Sequence, residues 1–121
     1  MSDPFIALDH VQLAMPEGKE SEARSFYCDV LGMTEIPKPP VLAERGGCWF
    51  TSGDVQIHLG VETNFRPAKK AHPALRCFDY AAFTEKLRQA GIEIIPDDAL
   101  AGSTRGYIHD VFGNRIEIIE A

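Results

Sequence analysis

Gly106-Tyr107-Ile108-His109-Asp110-Val111-Phe112-Gly113-Asn114-Arg115-Ile116-Glu117-Ile118-Ile119 reads as a β-hairpin. Two β-rich runs flank a turn at Phe112-Gly113-Asn114, where Gly and Asn tolerate positive φ. In the return run Ile116 and Ile118 face one way; Arg115, Glu117 and Ile119 face the other. A carboxylate between two isoleucines in mid-strand either faces water or lies on a face that carries polar chemistry.

Upstream, Gly47 to Thr51 and Val55 to Leu59 make a second hairpin around Ser52-Gly53-Asp54. Val55, Ile57 and Leu59 share one face of its return strand, Gln56 and His58 the other. Each hairpin follows a strand, a helix and a short strand. In the first half these are Ile6–Ala14, Glu20–Leu31 and Met33–Ile36; in the second, Ala71–Cys77, Tyr80–Ala90 and Ile92–Ile95. Ala23, Phe26, Tyr27, Val30 and Leu31 form an apolar helical stripe, and Gly32 and Gly91 stand where C-terminal caps belong. Asp79 is placed to cap the second helix. Pro37-Lys38-Pro39-Pro40 is a stiff loop, and residues 60–70 connect the halves.

The chain therefore reads as βαβββ twice, an α+β fold of two tandem modules at about 5–60 and 71–121. His10-Val11-Gln12-Leu13 opens one half and His72-Pro73-Ala74-Leu75 the other, while Ile57-His58-Leu59 and Ile116-Glu117-Ile118 close them. Gly47 to His58 spans 11 positions, as does Gly106 to Glu117. His10, His58, His72 and Glu117 thus occupy equivalent places. Their apolar neighbours must face the helices, so the four belong on the opposite, concave side. Three imidazoles and a carboxylate there suit a divalent ion (Fe, Mn, Ni, Zn or Co) with positions left for substrate. His58 is the least fixed of the four in role: a fourth ligand, a hydrogen-bonding neighbour, or a general base with an unperturbed pKa near neutrality. His58 and Glu117 are the candidates for catalysis. Gln12, Gln56, Arg76 and Arg115 are the candidates for substrate contact, the two arginines suiting an anionic group. Lys69 and Lys70 read as solvated charges. Trp49, Phe65 and Tyr107 are either pocket wall or core.

The chain's 121 residues, 45% of them hydrophobic, suffice for one domain with a real core. A net charge of −6 argues against a nucleic-acid partner. No apolar run approaches a membrane span, and the first residues lack the pattern of a signal peptide. Cys28, Cys48 and Cys77 have no CxxC spacing and read as reduced thiols, consistent with the cytoplasm.

Four motifs carry a resemblance: LDHVQLAM at Leu8–Met15, FYCDVLGM at Phe26–Met33, AHPAL at Ala71–Leu75 and HDVFGNRIEI at His109–Ile118. With them the chain resembles the vicinal oxygen chelate superfamily of glyoxalase I, bleomycin-resistance proteins, fosfomycin-resistance enzymes and extradiol dioxygenases. The resemblance implies two βαβββ modules whose sheets pair into a cup around a metal. It implies His10, His58, His72 and Glu117 as ligand positions, and a homodimer whose sites are built from two subunits. It further implies a small oxygen-rich substrate chelated to the ion, with lyase, isomerase, thiol-transferase or dioxygenase chemistry. His58 stands where bacterial glyoxalase I carries Glu, which departs from that activity. The competing expectation is a metal-free binder of a drug or metabolite, of the bleomycin-resistance type.

Overall fold

The computed structural model describes residues 2–121 and places their eight strands in two four-stranded sheets. The first contains β1 (Val11–Met15), β2 (Thr34–Ile36), β3 (Cys48–Ser52) and β4 (Val55–Val61) in the order β1-β4-β3-β2. The second contains β5 (Ala74–Cys77), β6 (Ile95–Pro96), β7 (Arg105–His109) and β8 (Arg115–Glu120) in the matching order β5-β8-β7-β6. In both, the first strand runs parallel to the last and the remaining pairs are antiparallel. The α+β class and the βαβββ repeat are as the sequence implies.

One main helix lies between the first and second strands of each half. Residues Glu20–Arg24 (α1) continue into a π-helical turn at Ser25–Val30, and α3 spans Tyr80–Gln89. The Asp79 side chain accepts a hydrogen bond from Ala82 N at 3.2 Å, which caps α3. Inward positions of both halves join one apolar core: Leu13, Met15, Phe26, Tyr27, Phe50, Ile57 and Leu59 with Leu87, Ile108, Ile116 and Ile118. Strict alternation along β4 and β8 therefore turns His58 and Glu117 to the other face. Among the described residues no helix is long and apolar enough to cross a membrane.

Several expectations change. In the second half β5 begins at Ala74, not Ala71, so His72 stands ahead of the strand, and β6 is Ile95–Pro96 rather than Ile92–Ile95. The opening strand begins at Val11, not Ile6. Val11 pairs with Ile57 in parallel register, and β4 begins at Val55, so residues upstream of Asp9 run past the hairpin with nothing to pair to. Phe5, Ile6 and Leu8 are accordingly exposed. The proline loop holds a helical turn, α2 (Pro40–Ala43), because Pro suits the first helical position. Asn114 does not adopt positive φ; Gly113 does, at 94°, and Asn114 is wholly buried.

That asparagine fastens the halves together. Its Nδ2 donates to Ala14 O at 2.8 Å and to Asp110 Oδ2 at 3.0 Å, and its Oδ1 accepts from Ala68 N at 3.0 Å. Asp110, also buried, accepts from Phe112 N and Asn114 N through Oδ1 and from Tyr27 Oη through Oδ2 at 2.7 Å. Burial first, and the Asp110 charge second, push the Tyr27 phenol well above its ordinary pKa.

Candidate metal centre

The strand registers place equivalent residues in both halves. His58 lies opposite Gln12 on one side and Trp49 on the other; Glu117 lies opposite Ala74 and Tyr107. His10 and His72 each stand two residues ahead of Gln12 and Ala74. The hairpins differ by one residue, however. Trp49 and His58 are 9 positions apart, Tyr107 and Glu117 are 10. The register thus aligns Arg105, not Gly106, with Gly47, and the equal spacing of 11 read from the two glycines is off by one.

In the second sheet His72 Nε2 faces Glu117 Oε1 at 2.9 Å, and Glu117 Oε2 accepts from Arg105 Nη1 at 2.7 Å. His72 Nδ1 lies 2.7 Å from Lys70 O. A carbonyl only accepts, so Nδ1 carries a proton, and in the neutral ring Nε2 presents a lone pair. A lone pair facing a carboxylate calls for a cation between them, either a proton or a metal ion. The 2.9 Å separation is that of an ordinary N–H···O hydrogen bond, as a shared proton gives, and it also leaves both atoms within reach of one ion. An imidazole anchored through its other nitrogen on a backbone carbonyl is also the usual outer support of a metal-binding His. This pair fits a divalent ion.

In the first sheet the His10 and His58 rings stack, with centroids 3.9 Å apart and planes at 11°. Trp49 covers the other face of His58 at 4.0 Å. Parallel rings aim their lone pairs along parallel lines, so this pair does not chelate as it stands. His10 Nδ1 is tied to Asp9 Oδ2 at 2.8 Å and His58 Nε2 to Gln56 Oε1 at 3.1 Å. Burial, and then nearby His10, lower the His58 pKa, which keeps that ring neutral at pH 7. The four candidates are therefore brought together two and two. Among the described residues no group of three or more His, Cys, Asp or Glu side chains is placed to hold a metal ion.

A family model described as the Glyoxalase/Bleomycin resistance protein/Dioxygenase superfamily matches residues 7–118. The chain belongs to that superfamily. A solved protein of Bacillus anthracis assigned to the glyoxalase family is similar to it at 51% identity and TM-score 0.96, over 99% of this chain and 98% of that one. A fosfomycin resistance protein of Listeria monocytogenes shares the fold at 15% identity and TM-score 0.73, over 97% and 94%. So does an antibiotic binding protein of a Streptomyces species, at 20% identity and TM-score 0.72, over 96% and 98%. No curated protein sequence matches.

Within this superfamily member the remaining candidates separate. Gln12 lines a cleft of about 390 Å³ with His72 and Arg66, and its Nε2 lies against Gly60, where a Cβ would come within 2.5 Å. Arg76 is exposed on β5. The Arg115 guanidinium lies 4.4 Å over the Tyr107 ring, and its buried Nε has no hydrogen-bond partner among the described residues. Tyr107 also packs edge-on against His72 and donates to Asp97 Oδ2 at 3.0 Å. That bond raises the Tyr107 pKa, while Ala99 N and then Tyr107 lower that of Asp97. From the sequence Arg105 counts with Arg66, Arg76 and Arg115 among cations near the pocket that suit a carboxylate or phosphate; its ion pair with Glu117 is not foreseen there. Parity along β7 was the available signal, since Arg105, Tyr107 and His109 alternate with buried Gly106 and Ile108.

Proposed function

We propose that this protein is a divalent-metal-dependent enzyme acting on a small, oxygen-rich, anionic substrate, and that its sites form between two copies of the chain. The observation that carries the reading is the His72 Nε2–Glu117 Oε1 contact, with His72 Nδ1 anchored on Lys70 O. Because each chain supports its donors only in pairs, His10 and His58 of a second copy complete the set. A bound ion there supplies Lewis-acid stabilisation of a chelated oxyanion. His58, held neutral by burial, is either the fourth ligand or the base that takes a proton beside the chelated oxygens. Arg115, whose guanidinium lies over Tyr107 beside His72, takes the substrate's anionic group, and Gln12 and Gln56 orient its oxygens.

A second reading, a metal-free small-molecule binder, is favoured by one observation. The Trp49–His58–His10 stack is a ready aromatic wall and holds its imidazoles unconverged.

The test mixes two variants, His10→Ala/His58→Ala and His72→Ala/Glu117→Ala, refolded together. Shared sites leave each heterodimer with one complete set of two, and half of the dimers are mixed, so metal returns on mixing to about a quarter of the parental content. Metal absent from the mixture but stoichiometric in the parent would place all donors within one chain. Metal absent from the parent after reconstitution with several divalent ions would favour the binder.

A further inference from the structure

We propose that Arg105 is a positioning residue that fixes Glu117 as a one-oxygen ligand; this rests on the metal reading above. The two oxygens of this buried carboxylate have separate partners. Oε1 faces His72 Nε2, and Oε2 is held by Arg105 Nη1 at 2.7 Å. Arg105 is braced in turn, its Nε and Nη2 both donating to Ser103 Oγ at 3.0 and 2.8 Å. A continuous line of contacts thus runs from Ser103 through Arg105, Glu117 and His72 to Lys70 O.

A carboxylate that binds through both oxygens fills two coordination positions. Held through one, it leaves a position free for a substrate oxygen. Arg105 withdraws Oε2 from the ion and keeps Oε1 aimed at the His72 lone pair. Arg115 does not share this task, because its guanidinium lies over Tyr107. Two effects compete on removal of Arg105. Loss of an outer support loosens the ligand and weakens binding about tenfold to hundredfold. Loss of a nearby positive charge favours a cation. The double brace on Ser103 indicates that Arg105 is built for orientation, so the first effect dominates.

The experiment titrates Co(II) into the parent, Arg105→Met and Arg105→Lys, reading affinity and the visible spectrum of the bound ion. Arg105→Met is expected to bind about tenfold to hundredfold more weakly with a changed spectrum. Arg105→Lys keeps a donor for Oε2 and is expected to recover most of the loss. Equal or tighter binding in Arg105→Met, with the parental spectrum, would overturn the assignment while leaving the metal reading intact. A folded parent that binds no Co(II) would overturn both. Should Arg105→Met not fold, Ser103→Ala removes the brace without touching the carboxylate. It is expected to weaken Co(II) by a smaller factor, and unaltered binding there would also overturn the proposal.

Discussion

Replacing Tyr27 by Phe removes one oxygen and tests whether the buried network at Asp110 joins the two halves energetically. Tyr27 sits on the first module's helix and Asp110 in the second module's hairpin loop, 83 residues apart. Both are buried, and the hydroxyl donates to Oδ2 at 2.7 Å. A hydrogen bond to a charged acceptor contributes about 1.5–3 kcal/mol. Asp110 keeps three other donors, Phe112 N, Asn114 N and Asn114 Nδ2, so it is not orphaned and the lower part of that range applies. The expected loss is about 1.5–2 kcal/mol, or roughly 6–8 °C in Tm for a chain of this size. Urea unfolding of parent and variant at one protein concentration measures it, with a lower midpoint and an unchanged m-value. The phenol's raised pKa adds a second signature. Its stabilising contribution is full below the unfolded tyrosine pKa and is lost as pH rises through the folded one, so the Phe variant lacks that part of the alkaline decline. A loss under about 0.5 kcal/mol would refute the reasoning, because the bond would then only balance the desolvation of its partners.

Gly47 and Gly18 share a positive φ, 83° and 77°, but not the same space. A Cβ at Gly47 would stand 2.0 Å from Leu59 O, whereas at Gly18 it meets nothing within 4 Å. Gly18→Ala is expected to cost about 1–2 kcal/mol, and Gly47→Ala clearly more, by denaturant unfolding; equal costs would show that the hairpin shifts freely. Glu20 has its pKa lowered, chiefly by the backbone N–H of Gly47, which donates to its Oε2 at 2.9 Å. Its contribution is present above the unfolded carboxylate pKa and is lost as pH falls through the folded one. Glu20→Gln should therefore flatten the acid side of the stability profile, and parallel profiles would contradict this.

The fold was legible because its signals are periodic. Ile57 and Leu59, with Ile116 and Ile118, alternate with His58 and Glu117 so strictly that register follows from composition. The repeat was legible for the same reason, though the matched glycines at 47 and 106 misled by one position. Spacing cannot show a hairpin that is one residue longer unless the paired strands are seen. His10 and His72 lie just ahead of β1 and β5 and not within them, although β4 and β8 extend to their register, because alternation does not say where strand pairing stops. The grouping of donors in pairs was not legible at all. It depends on how two sheets are set in space, and the ionic hold of Arg105 on Glu117 depends on a side-chain path that residue types alone do not specify.

The longer second hairpin also bears on how far this duplicated chain can be taken apart. In the first half a two-residue reversal at Gly53-Asp54 faces solvent and fastens nothing. In the second, the added length sends Asn114 across to Ala14 O and Ala68 N. Two like halves have thereby become lock and key. Severed from the first half, the second would carry a buried amide and carboxylate with donors and acceptors left open, so the modules have lost the interchangeability that their common pattern still displays.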